Sequence, residues 1–156
     1  LESKKLLGNT IVILTSDHGE EFDDSGDGYW GHNGNYSRAQ THVPMLVYWP
    51  GKGAGEYTYL TSHHDVALTL MQNVFHCVTE PLEYTLGTNL FIPGRDYIYI
   101  HGASDDYALA DEETITVFSG FGEVRAFSFS DYAPLERKLA SEKYQQILQQ
   151  LIRFKK

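Results

Sequence analysis

The sequence predicts an α/β fold with a polar site at the carboxyl end of a buried strand. An apolar, β-branched run at Ile11–Thr15 stops abruptly at the adjacent residues Asp17 and His18. Such a run is typical of a strand buried on both faces of a largely parallel sheet. Apolar residues at helical spacing follow within 61–77, and short alternating segments after 107 predict antiparallel hairpins.

The composition indicates a folded domain of ordinary size. The chain has 156 residues, of which 42% are hydrophobic and 13% aromatic, and it contains a single cysteine, Cys77. This length can bury a real core, and one cysteine excludes an internal disulfide framework. We expect Cys77 to lie in that core. No apolar run approaches the roughly 20 residues of a membrane span.

Acidic charge is concentrated around Asp17 and His18. The formal net charge is −9, and no Lys or Arg occurs between Leu6 and Ser37. The acids of this segment are Asp17, Glu20, Glu21, Asp23, Asp24 and Asp27. Such a segment attracts cations and repels nucleic acid, which we exclude as a partner. We interpret the last three acids as a solvated loop.

The first part of the chain, about 1–103, should form the end of the main α/β layer. We expect a strand at Ile11–Thr15, a long loop at 16–42, a strand at Val43–Trp49, a helix from Thr61 to about Cys77 and a strand at Asp96–His101. Ser62 or Asp65 could cap the helix. A parallel sheet with so few strands would be thin, so further strands are expected upstream of Leu1 in a longer protein.

The second part, about 104–156, should form a small antiparallel sheet covered by a helix. The expected strands are Tyr107–Asp111, Thr114–Phe118 and Glu123–Ser130, with the last hairpin turn at 119–122. An amphipathic helix should run from Pro134, which suits a first helical turn, to about Phe154.

Asp17 and His18 are the first candidate site residues. A carboxylate oxygen and a neutral imidazole nitrogen together suit Zn²⁺ or Mn²⁺, and Mg²⁺ less well. Both can reach one ion only if the strand ends there, and Gly19 permits that bend. The alternative is that Asp17 caps the following turn and His18 is merely exposed. Their place at the carboxyl end of a strand, where open sheets hold ligands, favours the metal site.

His32 is the second candidate, fourteen residues after His18 and between Gly31 and Asn33. A histidine in a polar, glycine-rich loop could bind an anionic substrate, hold a second metal or protonate a leaving group. A lone histidine on the surface is the alternative. His63 and His64 could reach the same crevice, although cap and packing roles are favoured, and His42 and His101 are interpreted as structural.

Four strings in order resemble the C-terminal half of the alkaline phosphatase/sulfatase superfamily. They read T-S-D-H-G-E-E-F, G-Y-W-G-H-N, V-P-M-L-V-Y-W-P-G and S-H-H-D-V-A-L-T-L-M. The resemblance implies an alkaline-phosphatase-like α/β/α sandwich and a divalent metal (Mn, Mg, Zn or Ca). It implies that Asp17 and His18 are ligands of that metal. It also implies that His32 stands where phosphoester transferases keep a histidine that meets substrate phosphate or a second metal.

The chain departs from the superfamily pattern at two places. Leu68 stands where the helix usually has proline, and no residue matches the nucleophile, since Cys77 lacks the sulfatase sequence context. Many sulfatases keep a lysine near His32, and here none occurs from Leu6 until Lys52, which favours phosphate over sulfate esters. The attacking group should therefore lie elsewhere in a longer protein, and this chain alone should be inactive.

The resemblance implies two functions for the longer protein. One is a metal-dependent hydrolase or transferase acting on phosphate or sulfate esters. The other is a catalytically degenerate, lipid-binding regulatory domain that controls lipopolysaccharide and outer-membrane homeostasis. Its partners would be lipopolysaccharide or cardiolipin, which a basic patch at 153–156 could face. In both cases the domain would lie on the periplasmic side of the inner membrane, anchored by a missing N-terminal region.

Overall fold

A computed structural model describes residues 1–102, 106–136, 145, 147, 149–151 and 153–154. It shows a mixed α/β chain with small antiparallel sheets. The chain forms two compact units, Leu1–Tyr57 and Thr58–Lys156. The predicted division into an end of the main α/β layer, about 1–103, and a small antiparallel sheet with a helix, about 104–156, stays a prediction.

The first unit contains two short antiparallel ribbons. After 3₁₀ turns at Glu2–Lys4 and Leu7–Asn9, its elements are β1 (Val12–Thr15), β2 (Glu21–Phe22), β3 (Trp30–Gly31), helix α1 (Arg38–Thr41) and β4 (Met45–Tyr48). Strand β1 pairs with β4, and β2 pairs with β3. The segment predicted to be one long loop therefore contains a small hairpin and a helical turn.

Strand β1 corrects the expectation of a parallel pairing buried on both faces. It pairs antiparallel with β4, with Val12 opposite Tyr48 and Leu14 opposite Leu46. Leu14 and Leu46 are each 64% exposed. An apolar, β-branched run specifies an extended backbone, but it carries no information about the direction of the neighbouring strand. The sequence therefore predicted the positions of β1 and β4, but not their antiparallel pairing.

The second unit is built on a five-stranded antiparallel sheet. Its elements are α2 (His64–Asn73), a 3₁₀ turn at Pro81–Glu83, and strands β5 (Ile98–His101), β6 (Tyr107–Ala110), β7 (Thr114–Phe118), β8 (Val124–Ser128) and β9 (Pro134–Leu135). Neighbours in sequence are neighbours in the sheet. The predicted antiparallel set is confirmed, and the strand expected at Asp96–His101 joins its edge as β5.

Helix α2 ends earlier than its sequence pattern predicts. It stops at Asn73 rather than near Cys77, and His76 adopts a left-handed backbone with φ 51°. The Cys77 N–H donates to the Met71 carbonyl, so the chain has already turned back at this point. Cys77 is only half-buried, which corrects its assignment to the core. The residues of the turn after α2 are themselves apolar. The helical spacing of apolar residues therefore continues past the true end of the helix.

The core of the second unit lies against the middle of the sheet. Leu109 and Phe118 pack there with Ile147 and Leu151, all less than 9% exposed. Burying each such side chain contributes about 1.5–3 kcal/mol. This cluster stabilises the five-stranded sheet of the second unit.

The start of the predicted C-terminal helix is wrong. Pro134 and Leu135 form the edge strand β9, with Pro134 opposite Phe127. Proline is tolerated in an edge strand because one side of that strand needs no N–H donor. Residues 137–144, 146, 148, 152 and 155–156, which hold most of the expected helix, lie outside the described residues. Among the described residues, no helix has the length and apolarity needed to cross a bilayer.

Candidate functional site

The β2–β3 hairpin brings Glu20 to His32. Glu21 lies opposite Gly31 in the hairpin register, so Glu20 and His32 flank the next position of the ribbon. The His32 Nδ1 atom lies 3.0 Å from the Glu20 Oε2 atom. Because an ionised carboxylate can only accept, this contact places a proton on Nδ1 and leaves Nε2 as the lone-pair nitrogen of a neutral ring.

His18 stacks on His32. The two ring centroids are 4.3 Å apart, and the ring planes differ by 16°. The His18 Nδ1 atom lies 2.9 Å from the Gly19 carbonyl oxygen, which can only accept a hydrogen bond. His18 Nε2 is therefore the nitrogen available to a metal, an arrangement in which the other ring N–H is anchored to a carbonyl.

The two carboxylate oxygens of Asp17 have different surroundings. One oxygen, Oδ1, accepts the His18 N–H at 3.1 Å, as a cap would. The other, Oδ2, lies 3.7 Å from His18 Nε2, and the side chain is 88% exposed. The pKa of Asp17 is lowered, first by its own backbone N–H and then by the charge of His18. The carboxylate therefore remains ionised beside the free nitrogen of His18.

The donor set fits a divalent cation. Ligand atoms of His18, Glu20 and His32 all lie within 4.8 Å of one another, and Asp17 adds an oxygen beside His18. Imidazole with carboxylate suits Zn²⁺ and Mn²⁺. An imidazole binds through a lone pair in the plane of its ring. Since the His18 and His32 rings are stacked and nearly parallel, one ion cannot lie in both planes unless a ring rotates.

Gly19 allows the segment that follows β1 to lie close against helix α1. A Cβ atom built there would overlap the carbonyl oxygen of Ala39. The Gly19 N–H donates to the Gln40 carbonyl at 2.7 Å. The end of the strand is thus held directly against helix α1, so any larger residue would push the two segments apart.

Glu21 anchors the other face of the hairpin. Its side chain is fully buried and accepts hydrogen bonds from Ser25, Ser37 and Gln40 at 2.6–2.8 Å. Burial by itself would raise the pKa of Glu21, but these bonds outweigh it and lower the pKa to about 2. A carboxylate with several neutral donors can remain charged inside a protein. The polar interior of the first unit is organised around this group.

Tyr29 supports the loop that presents His32. Its hydroxyl oxygen accepts the Asn33 N–H at 3.1 Å. A Cβ atom built on Gly34 would overlap the Tyr29 ring. The loop from Gly31 to Gly34 therefore packs closely over this ring, which restricts the positions that His32 can take.

Four further histidines, His42, His63, His64 and His101, lie outside this cluster. Arg38 donates to His42 Nδ1 at 2.8 Å, and the pKa of His42 is lowered by burial and then by the Arg38 charge. His63 occupies the N-cap position of α2 without a capping side-chain hydrogen bond. Burial also lowers the pKa of His64, whose ring lies 6.2 Å from that of Tyr99. His101 ends β5 beside the Tyr99 hydroxyl.

Asp65 is a buried structural carboxylate. It accepts the Ser62 and Thr88 N–H groups at 2.7 and 2.8 Å. Arg95 pairs with it at 2.9 Å, and both side chains are less than 9% exposed. Asp65 therefore ties the start of α2 to the segment after it. The basic patch predicted at the C-terminus includes Lys155 and Lys156, which lie outside the described residues.

Glu20 is the residue of the candidate site that the sequence did not single out. It appeared there only as one of several acids in a loop, because its role depends on the hairpin register. The sequence signal that could have identified Glu20 is its position relative to the hairpin, which matches that of His32. Glu20 and His32 each stand one residue beyond the paired positions Glu21 and Gly31.

The comparisons with known proteins indicate a family relationship for the segment that contains these residues. The sulfatase family model matches residues 1–74, which contain Asp17, His18, Glu20 and His32. An uncharacterized protein of Haemophilus influenzae is 36% identical over 97 residues, covering 59% of this chain and 16% of the relative.

Two further relatives have names that describe a location or an activity. The inner membrane protein YejM of Salmonella typhimurium is 32% identical over 95 residues, covering 61% of this chain and 15% of the relative. A steryl-sulfatase of Rattus norvegicus is 35% identical over 106 residues, covering 62% and 17%. The chain spans about a sixth of the length of the curated relatives that it matches. The chain is therefore related to the alkaline phosphatase/sulfatase superfamily and, within it, to the YejM-like proteins.

Proposed function

We propose that the chain is part of a metal-dependent hydrolase or transferase acting on phosphate or sulfate esters. The observation that carries this proposal is the stacking of His18 on His32, 4.3 Å apart, with Glu20 on one ring and Asp17 beside the other. Each histidine has one nitrogen occupied by an acceptor and the other available. Such an arrangement is suited to holding a cation next to a proton donor.

Asp17 and His18 are the proposed metal ligands. Asp17 Oδ2 and His18 Nε2 are 3.7 Å apart, a separation that two ligand atoms of one ion can have. The Gly19 carbonyl fixes the His18 ring by accepting from Nδ1. When bound, Mn²⁺, Mg²⁺, Zn²⁺ or Ca²⁺ would supply Lewis-acid polarisation of an ester oxygen. The donor types fit Mn²⁺ and Zn²⁺ best.

His32 is the proposed catalytic residue. Its Nδ1–H donates to Glu20, so the opposite nitrogen, Nε2, can give a hydrogen bond or proton to an ester oxygen when the ring is protonated. Glu20 is a positioning residue, because it acts through His32.

The reaction needs a hydroxyl nucleophile from another part of a longer protein. No residue of this sequence matches the nucleophile of the superfamily, so the chain by itself should not turn over. The absence of lysine between Lys5 and Lys52 supports a phosphate ester over a sulfate ester as the substrate.

The larger protein should have the architecture and location that its relatives suggest. We propose an α/β/α sandwich that ends in an amphipathic helix and lies on the periplasmic side of the inner membrane. One relative is named as an inner membrane protein, which supports this location. The exposed apolar side chains of Leu14 and Leu46 support the proposal that further strands cover β1 and β4.

The test is an esterase assay on the full-length protein with phosphate and sulfate esters, in the presence of Mn²⁺, Mg²⁺ or Zn²⁺. We expect metal-dependent release of phosphate, abolished by Asp17→Ala and by His32→Ala. Asp131→Ala and His101→Ala are matched controls, since both residues are exposed and lie outside the site. No turnover together with tight binding to cardiolipin or lipopolysaccharide would instead support the degenerate regulatory domain.

A further inference from the structure

The hairpin that carries Glu20 also carries an exposed aromatic pair. Phe22 lies opposite Trp30 in the register, and the two rings make an edge-to-face contact with centroids 5.8 Å apart. Phe22 is 62% exposed and Trp30 67% exposed. Two large aromatic side chains thus lie directly opposite each other, and both remain open to solvent.

The aromatic pair lies on the same face of the ribbon as the candidate site. Side chains alternate between the two faces of a strand, so residues two apart share a face. Glu21 is fully buried on one face. From this alternation we infer that Glu20 and Phe22 share the open face, as do Trp30 and His32, with Glu20 and His32 each one residue beyond the paired positions. Successive positions on one face are about 7 Å apart, which places the aromatic pair one step along from the Glu20–His32 contact.

The charge around the aromatic pair is negative. The Asp24 carboxylate accepts the Phe22 N–H at 2.7 Å, so it lies beside the backbone of the residue that carries one of the two rings. Asp23 and Asp27 accept the N–H groups of Gly28 and Tyr29 in the same connecting turn. No Lys or Arg occurs in the sequence between Leu6 and Ser37. Anionic groups, including an anionic lipid surface, are repelled here, whereas aromatic faces beside carboxylates attract organic cations.

We propose that Phe22, Trp30 and Asp24 form a subsite for an organic ammonium group. This inference rests on the proposed function and narrows its substrate to a zwitterionic ester. The anionic ester group would lie beside His32 and the metal that Asp17 and His18 would hold, and the ammonium group one ribbon step away on the aromatic pair. A zwitterion also resolves the electrostatic problem of the site, because a purely anionic ester would approach a segment with six carboxylates.

The subsite can be tested without turnover. The full-length protein is labelled with 5-fluorotryptophan, and the Trp30 fluorine signal is identified by its loss in Trp30→Phe. Choline chloride is titrated at constant ionic strength in the presence of EDTA. Its uncharged analogue of the same shape, 3,3-dimethyl-1-butanol, is titrated in parallel. We expect choline to shift the Trp30 signal in a saturable way and the alcohol to bind at least severalfold more weakly.

The variants separate the aromatic and charged contributions. Asp24→Asn keeps an oxygen that can accept the Phe22 N–H but removes the charge, and Phe22→Leu keeps an apolar side chain but removes the ring. Each should weaken choline binding roughly two- to fivefold. Phe121→Leu is the control, since Phe121 is fully exposed on another hairpin, and it should have no effect. Equal binding of choline and the alcohol, or no saturable shift, would overturn the inference.

Failure of the subsite is distinguishable from failure of the proposed function. Metal binding at Asp17 and His18 is measured in its own titration, without choline. If choline binds and no metal does, the subsite stands and the proposed function falls. With Mg²⁺ present, phosphocholine should bind more tightly than choline, and equal affinity would disconnect the subsite from the metal site. A shift of the Trp30 signal by phosphatidylglycerol vesicles but not by choline would assign the face to a lipid surface instead.

Discussion

The Glu20 carboxylate lies 3.0 Å from His32 Nδ1, although twelve residues separate the two in sequence. The contact exists because Glu21 pairs with Gly31 and the hairpin register continues for one more position. It occupies Nδ1 of His32 and leaves Nε2 as the other ring nitrogen. A carboxylate that orients a histidine in this way restricts the rotation of its ring.

Glu20→Gln should lower turnover in the full-length protein by about 10- to 100-fold, because removing an orienting carboxylate typically has an effect of that size. His32→Ala should cost about 100-fold or more. Steady-state kinetics of the two single variants and the double variant would measure the coupling. If Glu20 acts through His32, the double variant should be no slower than His32→Ala. Additive losses would show that Glu20 acts independently.

Glu21 should make the first unit sensitive to acid. Its folded-state pKa is lowered from 4.5 to about 2, so its contribution to stability is present above pH 4.5 and disappears as the pH falls toward 2. A shift of this size corresponds to about 3 kcal/mol. Urea unfolding at pH 7 and pH 3, followed by Trp fluorescence, would measure the loss. Glu21→Gln should reduce stability at pH 7 and flatten this part of the pH dependence; an unchanged profile would contradict the prediction.

Gly19→Ala should disrupt the site more than a glycine substitution elsewhere in the first unit. The added Cβ would overlap the Ala39 carbonyl oxygen, whereas a Cβ at Gly53 meets nothing within 4 Å. We expect Gly19→Ala to cost on the order of 1–3 kcal/mol, as overpacking does. Gly53→Ala, the control, should change the free energy of unfolding by less than about 0.5 kcal/mol. Equal thermal stability of the two variants would show that the α1 contact yields easily.

Arg95→Met should strongly destabilise the second unit. It leaves the Asp65 carboxylate buried without its partner, and breaking such a pair typically costs about 3–5 kcal/mol. Arg125→Met is the matched control, because Arg125 and Glu123 form an exposed pair with 61% and 67% of their side chains accessible. Its effect should be below about 1 kcal/mol. Thermal unfolding monitored by circular dichroism would compare the two variants, and similar losses would argue against a structural role for Asp65.

The fold was predictable where local patterns decide it. The segment Thr114–Phe118 forms a strand with the predicted bounds, because tight turns on both sides and β-branched residues all favour it. The direction of β1 was not predictable, since its partner comes from 30 residues away. Pro134 was misassigned because proline suits both the first turn of a helix and an edge strand.

The candidate site was predictable only in part. Asp17, His18 and His32 stand out as residue types that are costly near a buried strand or suited to proton transfer. Glu20 does not, because its importance arises from a two-residue ribbon hidden within a polar loop. The same ribbon places Phe22 opposite Trp30. A register this short leaves no periodic signal in the sequence, so the residues it brings together can be recognised only in three dimensions.

The dissociation constant of Mn²⁺ for the full-length protein tests the central claim most directly. Calorimetric titration of the Asp17→Ala and His18→Ala variants should show affinity lowered by about 100-fold or more, since removing a metal ligand exceeds the effect of removing an outer partner. His32→Ala should retain most of the affinity. Unchanged binding in Asp17→Ala, with binding lost in His32→Ala and Glu20→Ala, would contradict the assignment and place the ion between Glu20 and the two histidines instead.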